Sequence, residues 1–300
     1  MNKSFTLIEI LVVIVIIGIL SAFILVGMSS ITSSANIAKG KAFLNSMDNS
    51  LLLSRVSEWK LENSSGTDSW SGKTATLVNS PTLTPNCAQD SCYTFNGTSQ
   101  YAWVADDPVF NFGSYMSAFV WVKGSDTAAI DYIFGQYDAG TNKMSWAIIY
   151  DSTYLGKLRI NLSDDGTWTS GHRKAYVTTS ANIIDGNWHL AGFTWNSGTF
   201  KLYVDGVEAA VTKYLDDAIT ILYNSDANLT IGCALNSGSP VQLFTGSIDD
   251  ARLYNQAIPT SEIQQNYFVG INKLFNDNGI ALNEFSQRLV ELKSNIANNE

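Results

Sequence analysis

The sequence predicts a mainly β protein: a long N-terminal transmembrane and amphipathic helix, then a β-sandwich, then C-terminal helices. Three observations predict it. Residues 10–26 form a predominantly apolar run. After about residue 74 the apolar residues stop recurring every three to four positions and begin to alternate. From Pro259 onward the helical spacing returns.

The first element rests on length. The apolar run is about twenty residues, which is what a helix needs to cross a bilayer core of roughly 30 Å. It contains no Lys, Arg or Asp, but Glu9 stands at its beginning. An ionised carboxylate in lipid costs roughly 2.5–3.5 kcal/mol on insertion scales, so Glu9 calls for a cationic partner. Lys3 and the amino terminus precede the span, which puts the N-terminus in the cytoplasm and everything after about residue 30 outside. Ile31, Ala35, Ala38, Ala42, Met47, Leu51 and Val56 continue one helical face, and no proline occurs before Pro81. The helix is therefore expected to run to residue 58, with its span at about 5–28 and an amphipathic stem beyond.

Residues 63–74 are rich in Ser and Gly and mark a turn. Strands are expected at 93–97, 100–104, 117–122, 144–149, 157–162, 188–195 and 200–204. The pair Asp205-Gly206 closes a hairpin in a type I′ turn. Many short strands separated by turns read as an all-β sandwich. Ser261 with Gln264 fits a capping box opening a helix, which Asn278-Gly279 closes. A last helix is expected from about Asn283, with Phe285, Leu289, Leu292 and Ile296 as its apolar stripe.

Charge excludes one class of partner. Net charge is −9 with only 18 Lys plus Arg, too few cations to neutralise a phosphate backbone, so no nucleic acid is expected on the head. Eight Trp and 13 Tyr suit a β-rich extracellular domain or a sugar-binding surface. Cys87 and Cys92 lie in a segment outside the membrane, where oxidation is allowed, and are predicted to form a local disulfide. Cys233 is expected as a small buried core residue.

The chemistry-bearing residues point away from catalysis. Sandwich glucanases set paired carboxylates on alternate strand positions as Glu-x-Asp-x-x-Glu, and that pattern is missing from the sequence, so no enzyme is expected. The acids fall instead in pairs, Asp106-Asp107, Asp164-Asp165, Asp216-Asp217 and Asp249-Asp250, mostly read as solvated loop charges. His189 is expected in the sheet or core and His172 in an exposed loop. Trp121, Trp188 and Trp195 read as core. Trp168 and Tyr137, each beside polar loop residues, are the candidate exposed ligand contacts.

Two resemblances extend this reading. Lys3-Ser4-Phe5-Thr6-Leu7-Ile8-Glu9, followed by the apolar run, resembles the N-terminus of type IV pilins and pseudopilins. That resemblance implies cleavage between Ser4 and Phe5 by a prepilin peptidase and methylation of the new Phe5 amine. It also implies pairing of Glu9 with the terminal amine of a neighbouring pilin subunit. The family normally has Gly before the cut; Ser4 is also small. Implied partners are the peptidase, other pilin subunits, the inner-membrane assembly platform and membrane lipid. The implied location is the inner membrane with the head outside, and an extracellular filament or cell surface after assembly.

Phe95-Asn96-Gly97, Phe119-Val120-Trp121-Val122, Asp185-Gly186-Asn187-Trp188-His189, Leu202-Tyr203-Val204-Asp205-Gly206 and the stretch Phe244 to Asn255 together resemble the concanavalin A-like sandwiches of laminin-G type. The resemblance implies a two-sheet jelly roll. It also implies a structural Ca²⁺ held in part by Asp249, the alternative being that Asp249 bonds backbone amides. The expected organisation is a leader at 1–4, a pilin-type helix at 5–58, a sandwich at 59–268 and a helical segment at 269–300. The expected function is a pilin-like subunit carrying an adhesive head for a glycan or surface-protein ligand. The alternative is a minor pseudopilin of a secretion or DNA-uptake system, or a membrane-anchored surface protein, whose head makes only protein contacts.

Overall fold

The computed structural model describes residues 54–124, 129–154 and 156–297. The expected span and stem, with Ser4, Phe5 and Glu9, lie outside the described residues. Among the described residues no helix is long and apolar enough to cross a membrane.

Two sheets form the head. The eight-stranded sheet runs, side by side, Val207–Glu208, Thr199–Val204, His189–Asn196, Tyr115–Gly124, Thr245–Tyr254, Asp90–Asn96 and Thr82–Cys87. Its eighth strand, Arg55–Trp59, also pairs with Thr245–Tyr254. The ten-stranded sheet runs Val211–Asp216, Arg173–Asn182, Lys157–Gly166, Lys143–Asp151, Ile130–Asp138, Leu229–Ile231, Tyr101–Val104 and Thr76–Val78. The hairpin of Ala234–Asn236 and Ser239–Val241 attaches to Ile130–Asp138. Here one expectation is corrected: residues 55–58 are strand, not the end of a helical stem. Their ladder to Thr245–Tyr254 satisfies the backbone through a partner nearly 200 positions away, which local spacing cannot reveal.

Strand alternation builds the core. Met116, Ala118, Val120, Val122, Phe193 and Trp195 face inward from one sheet. Phe134, Trp146, Ile148, Leu158, Ile160 and Leu162 meet them from the other. Trp146 and Phe193 touch across the gap with ring centres 5.9 Å apart. Asp205 and Gly206 both take positive φ, +54° and +80°, as a type I′ turn requires, and Val204 pairs with Val207 across it. Cys233 is buried with a free thiol, and Cys87 is bonded to Cys92.

Two helices follow, α1 (Thr260–Asn276) and α2 (Leu282–Ala297). The capping box does not form: Pro259 is the N-cap and offers no side-chain cap, while its carbonyl accepts from the N–H groups of Glu262 and Ile263. Helix α1 covers the outer face of the eight-stranded sheet, with Ile263, Ile271 and Leu274 buried. Tyr267 stacks on Trp121 with ring centres 5.7 Å apart. A Cβ on Gly270 would come within 2.1 Å of the Trp121 ring, so only glycine lets helix and indole approach this closely. In α2 only Leu292 of the expected stripe is deeply buried. Phe285 stacks instead on Phe275 of α1, 4.6 Å between centres. Arg288 anchors the helix by donating to the Trp188 carbonyl at 2.8 Å.

Candidate functional site

Two places gather chemistry that the fold does not require. The first is the outer face of the ten-stranded sheet. Along Lys157–Gly166, Leu158, Ile160 and Leu162 enter the core, so Arg159 and Asn161 project from the opposite face. Register then sets their neighbours. Tyr132, Ile149, Arg159 and Val177 form one row across four strands. Gly135, Ala147, Asn161 and Ala175 form the next. The small residues of the second row leave room above the sheet for Asn161 and the rings beside it.

Those rings are aromatic. Tyr132 and Tyr137 lie 5.3 Å apart, and Tyr137 meets Trp168 edge-on at 6.3 Å. The two tyrosine hydroxyls hydrogen-bond to each other and to the Asn161 side chain, and burial raises both phenol pKa values. Arg159 donates to Asp151 Oδ2 and Asn161 Oδ1, each at 2.9 Å, and lies over Tyr214 at 5.6 Å. Arg173 donates to the Trp168 carbonyl and lies over its ring at 5.9 Å. On this face the rings of Trp168 and Tyr214 and part of the Arg159 guanidinium reach solvent, whereas Asn161, Asp151, Tyr132 and Tyr137 lie buried beneath them.

Of the two predicted contacts, Trp168 is partly exposed, whereas Tyr137 is 6% exposed and supports Trp168 from beneath. Tyr137 was expected to be exposed because Gln136 and Asp138 flank it, yet both are themselves buried. Gln136 Nε2 lies 2.9–3.0 Å from Asp106 Oδ1 and the carbonyls of Ser225 and Ala227. Asp138 accepts from the N–H groups of Gly140, Ser237 and Gly238. Sequence reasoning missed Tyr132, Asp151, Arg159, Asn161 and Tyr214. The polar positions of the alternating run 157–162 were the available signal for Arg159 and Asn161.

Near Trp168, His172 Nδ1 lies 2.9 Å from Asp164 Oδ1 and 3.5 Å from Asp165 Oδ2. The Asp164 hydrogen bond raises the His172 pKa. Asp165 is occupied by its own turn, accepting from Thr167 N and Oγ1, so this cluster is satisfied locally. His189 is buried between Asp205 Oδ2 at 2.7 Å and Asp185 Oδ1 at 3.1 Å. Burial opposes its charge, but the two carboxylates outweigh burial and raise its pKa to about 9.

The second place is the last strand. A bulge falls between Asp249 and Arg252, and Asp250 takes φ +47°. The pair Asp249-Asp250, grouped above with loop charges, is buried: Asp249 is 0% exposed. Asp250 is neutralised by Arg252, at 2.7 and 2.8 Å, and Arg252 also reaches Glu58 and Asn266. Among the described residues Asp249 has no such cation. Its Oδ2 accepts from Gln89 N–H at 2.7 Å, and its Oδ1 has no hydrogen-bond partner among them. Burial, then the charge of Asp250, pushes its carboxyl well above the usual range.

Residues 96–264 match the concanavalin A-like lectin/glucanases superfamily, and residues 1–25 match the prokaryotic N-terminal methylation motif. No curated protein matches the chain. Among solved structures, the binding domain of paraclostridial mosquitocidal protein 1 is similar at TM-score 0.57 and 15% identity, over 74% of this chain and 53% of that one. The botulinum neurotoxin serotype D ligand-binding domain, solved with N-acetylneuraminic acid, is similar at 0.56 and 15%, over 75% and 53%. The botulinum neurotoxin DC binding domain, solved with rat synaptotagmin II, is similar at 0.54 and 15%, over 75% and 52%. The chain therefore spans about half the length of these structures, and at such identity the likeness is one of fold.

Proposed function

The chain belongs to the concanavalin A-like lectin/glucanases superfamily, and from that premise we propose that it is a pilin-like surface subunit whose sandwich is a non-enzymatic binding head for glycan or protein. The observation that carries this reading is the convergence of Trp168, Tyr214, Arg159 and Asn161 on one sheet face, backed by Tyr132 and Tyr137. Related folds solved with N-acetylneuraminic acid or with rat synaptotagmin II lend support to a recognition role for such a head. The test is a glycan array probed with the detergent-purified full-length chain and its Trp168→Ala variant. Binding that the substitution abolishes supports the reading; silence on every glycan removes the glycan ligand and leaves only a head that contacts protein. Release of sugar from β-glucans would overturn the non-enzymatic assignment.

The methylation motif supports processing by a prepilin peptidase and a membrane-anchored or surface location. In our reading Ser4 and Phe5 flank the cut, and Glu9 pairs with the methylated amine of a neighbouring subunit within the membrane. Mass spectrometry of the mature N-terminus tests the first point. For the second, Glu9→Ala is expected to insert normally but to fail in filament assembly; normal filament levels would remove the pairing.

We further propose that Asp249 holds a structural Ca²⁺. The fit is physical: an orphaned, buried carboxylate oxygen lacks a cation while its neighbour Asp250 has one. Asp249 would supply a carboxylate ligand, and the ion would supply the charge that Arg252 gives Asp250.

A further inference from the structure

The edge of the last strand changes partner at Asp249. Residues 245–248 pair with 93–96, and residues 251–254 pair with the first strand of the sheet. Asp249 and Asp250 fall in the interval, where neither ladder continues. The turn between Thr82–Cys87 and Asp90–Asn96 reaches into this interval, and its Gln89 N–H grips Asp249 Oδ2. The Cys87–Cys92 disulfide closes the same turn, with Cys87, Ala88 and Cys92 all buried. Asp90, also in the turn, is held by Lys273 of α1 at 2.5 Å. One covalent bond therefore fixes the only backbone donor that the described residues offer the carboxylate of Asp249 at short range from outside its own strand.

We propose that the Cys87–Cys92 disulfide is a positioning element of the Asp249 cation site, so that a bound cation and the disulfide stabilise each other. This rests on the cation reading above. The closed turn holds Gln89 against one carboxylate oxygen and so presents the other, Oδ1, for a metal. Opening the turn releases Gln89 N–H and lets Asp249 take water or a new partner. Linkage makes the effect reciprocal: whatever factor the disulfide adds to cation affinity, the cation adds to the disulfide's resistance to reduction. The redox step is ordinary thiol–disulfide exchange. A dithiol such as dithiothreitol supplies two electrons and two protons, the S–S bond breaks to two cysteine thiols, and the dithiol leaves as its cyclic disulfide.

The experiment uses the full-length chain in detergent. Unfolding temperature is followed by tryptophan fluorescence during Ca²⁺ titration for the oxidised wild type, Asp249→Asn and Cys87→Ser/Cys92→Ser. The rate of disulfide reduction in the wild type is measured separately, in Ca²⁺ and in chelator. The expected result is a Ca²⁺-dependent rise that Asp249→Asn abolishes, about tenfold weaker apparent affinity in the double serine variant, and reduction about tenfold slower in Ca²⁺. Equal Ca²⁺ affinity with and without the disulfide overturns the coupling and leaves the cation standing. No Ca²⁺ response in the oxidised wild type overturns the cation and the coupling together. If the double serine variant does not fold, the reduction rate decides: equal rates in Ca²⁺ and chelator overturn the coupling.

Discussion

On the eight-stranded sheet, Trp121 lies flat beneath Tyr267, and a glycine in the helix above makes room for it. On the ten-stranded sheet, Tyr137 meets Trp168 edge-on, with tyrosine hydroxyls, an amide and a guanidinium gathered alongside. Both faces are aromatic, yet they solve different problems. The first is closed by the chain's own helix, and its contacts serve stability. The second keeps Trp168 partly open and Tyr214 54% exposed while holding polar groups in fixed geometry, as recognition requires. Aromatic content alone does not mark a ligand face; what lies over the rings does.

This contrast can be broken by substitution. Trp121→Ala strikes the covered face and is expected to cost about 3–5 kcal/mol, read by chemical denaturation. A loss below about 1 kcal/mol would mean that the helix is not a seal. The His189 cluster, next in chain to the Trp188 carbonyl that anchors α2, gives a smaller effect read by pH. Its folded pKa of about 9 exceeds the ordinary value of 6.5, so its contribution is fully present below about pH 6.5 and is lost as pH rises through 9. Up to about 3 kcal/mol should disappear over that window, and Asp185→Asn should flatten the profile. Asp185 is held below its usual range by the same hydrogen bond, so the two shifts describe one interaction and are not added. Smallest in stability is Trp168→Ala, expected to change it by no more than about 1 kcal/mol while abolishing ligand binding. A large stability loss there would make the open face a second core.

Much of the sandwich was legible because its strands alternate. The run 157–162 reads Lys-Leu-Arg-Ile-Asn-Leu and is a strand with one face in the core. Strand Ile130–Asp138 was missed because it is buried nearly throughout and so shows no alternation. The residues that share the open aromatic face come from strands joined by register, and register is a long-range property. Arg159 meets Ile149 and then Tyr132 only because two ladders align them. The burial of Asp249 was hidden for a similar reason: a bulge, not a turn, holds the acidic pair.

The position of the strand Thr245–Tyr254 carries one more consequence. It sits in the middle of its sheet, between Tyr115–Gly124 on one side and both Asp90–Asn96 and Arg55–Trp59 on the other, yet it is the last strand in the chain. A ribosome working from the amino end delivers every neighbour before it delivers the strand they share. Until then the sheet is two separate halves with bare inner edges, and Trp59 has no ladder partner. Closure from such distant pieces is slow and leaves sticky intermediates. The eight-stranded sheet therefore joins its two halves only once residues 245–254 are in place.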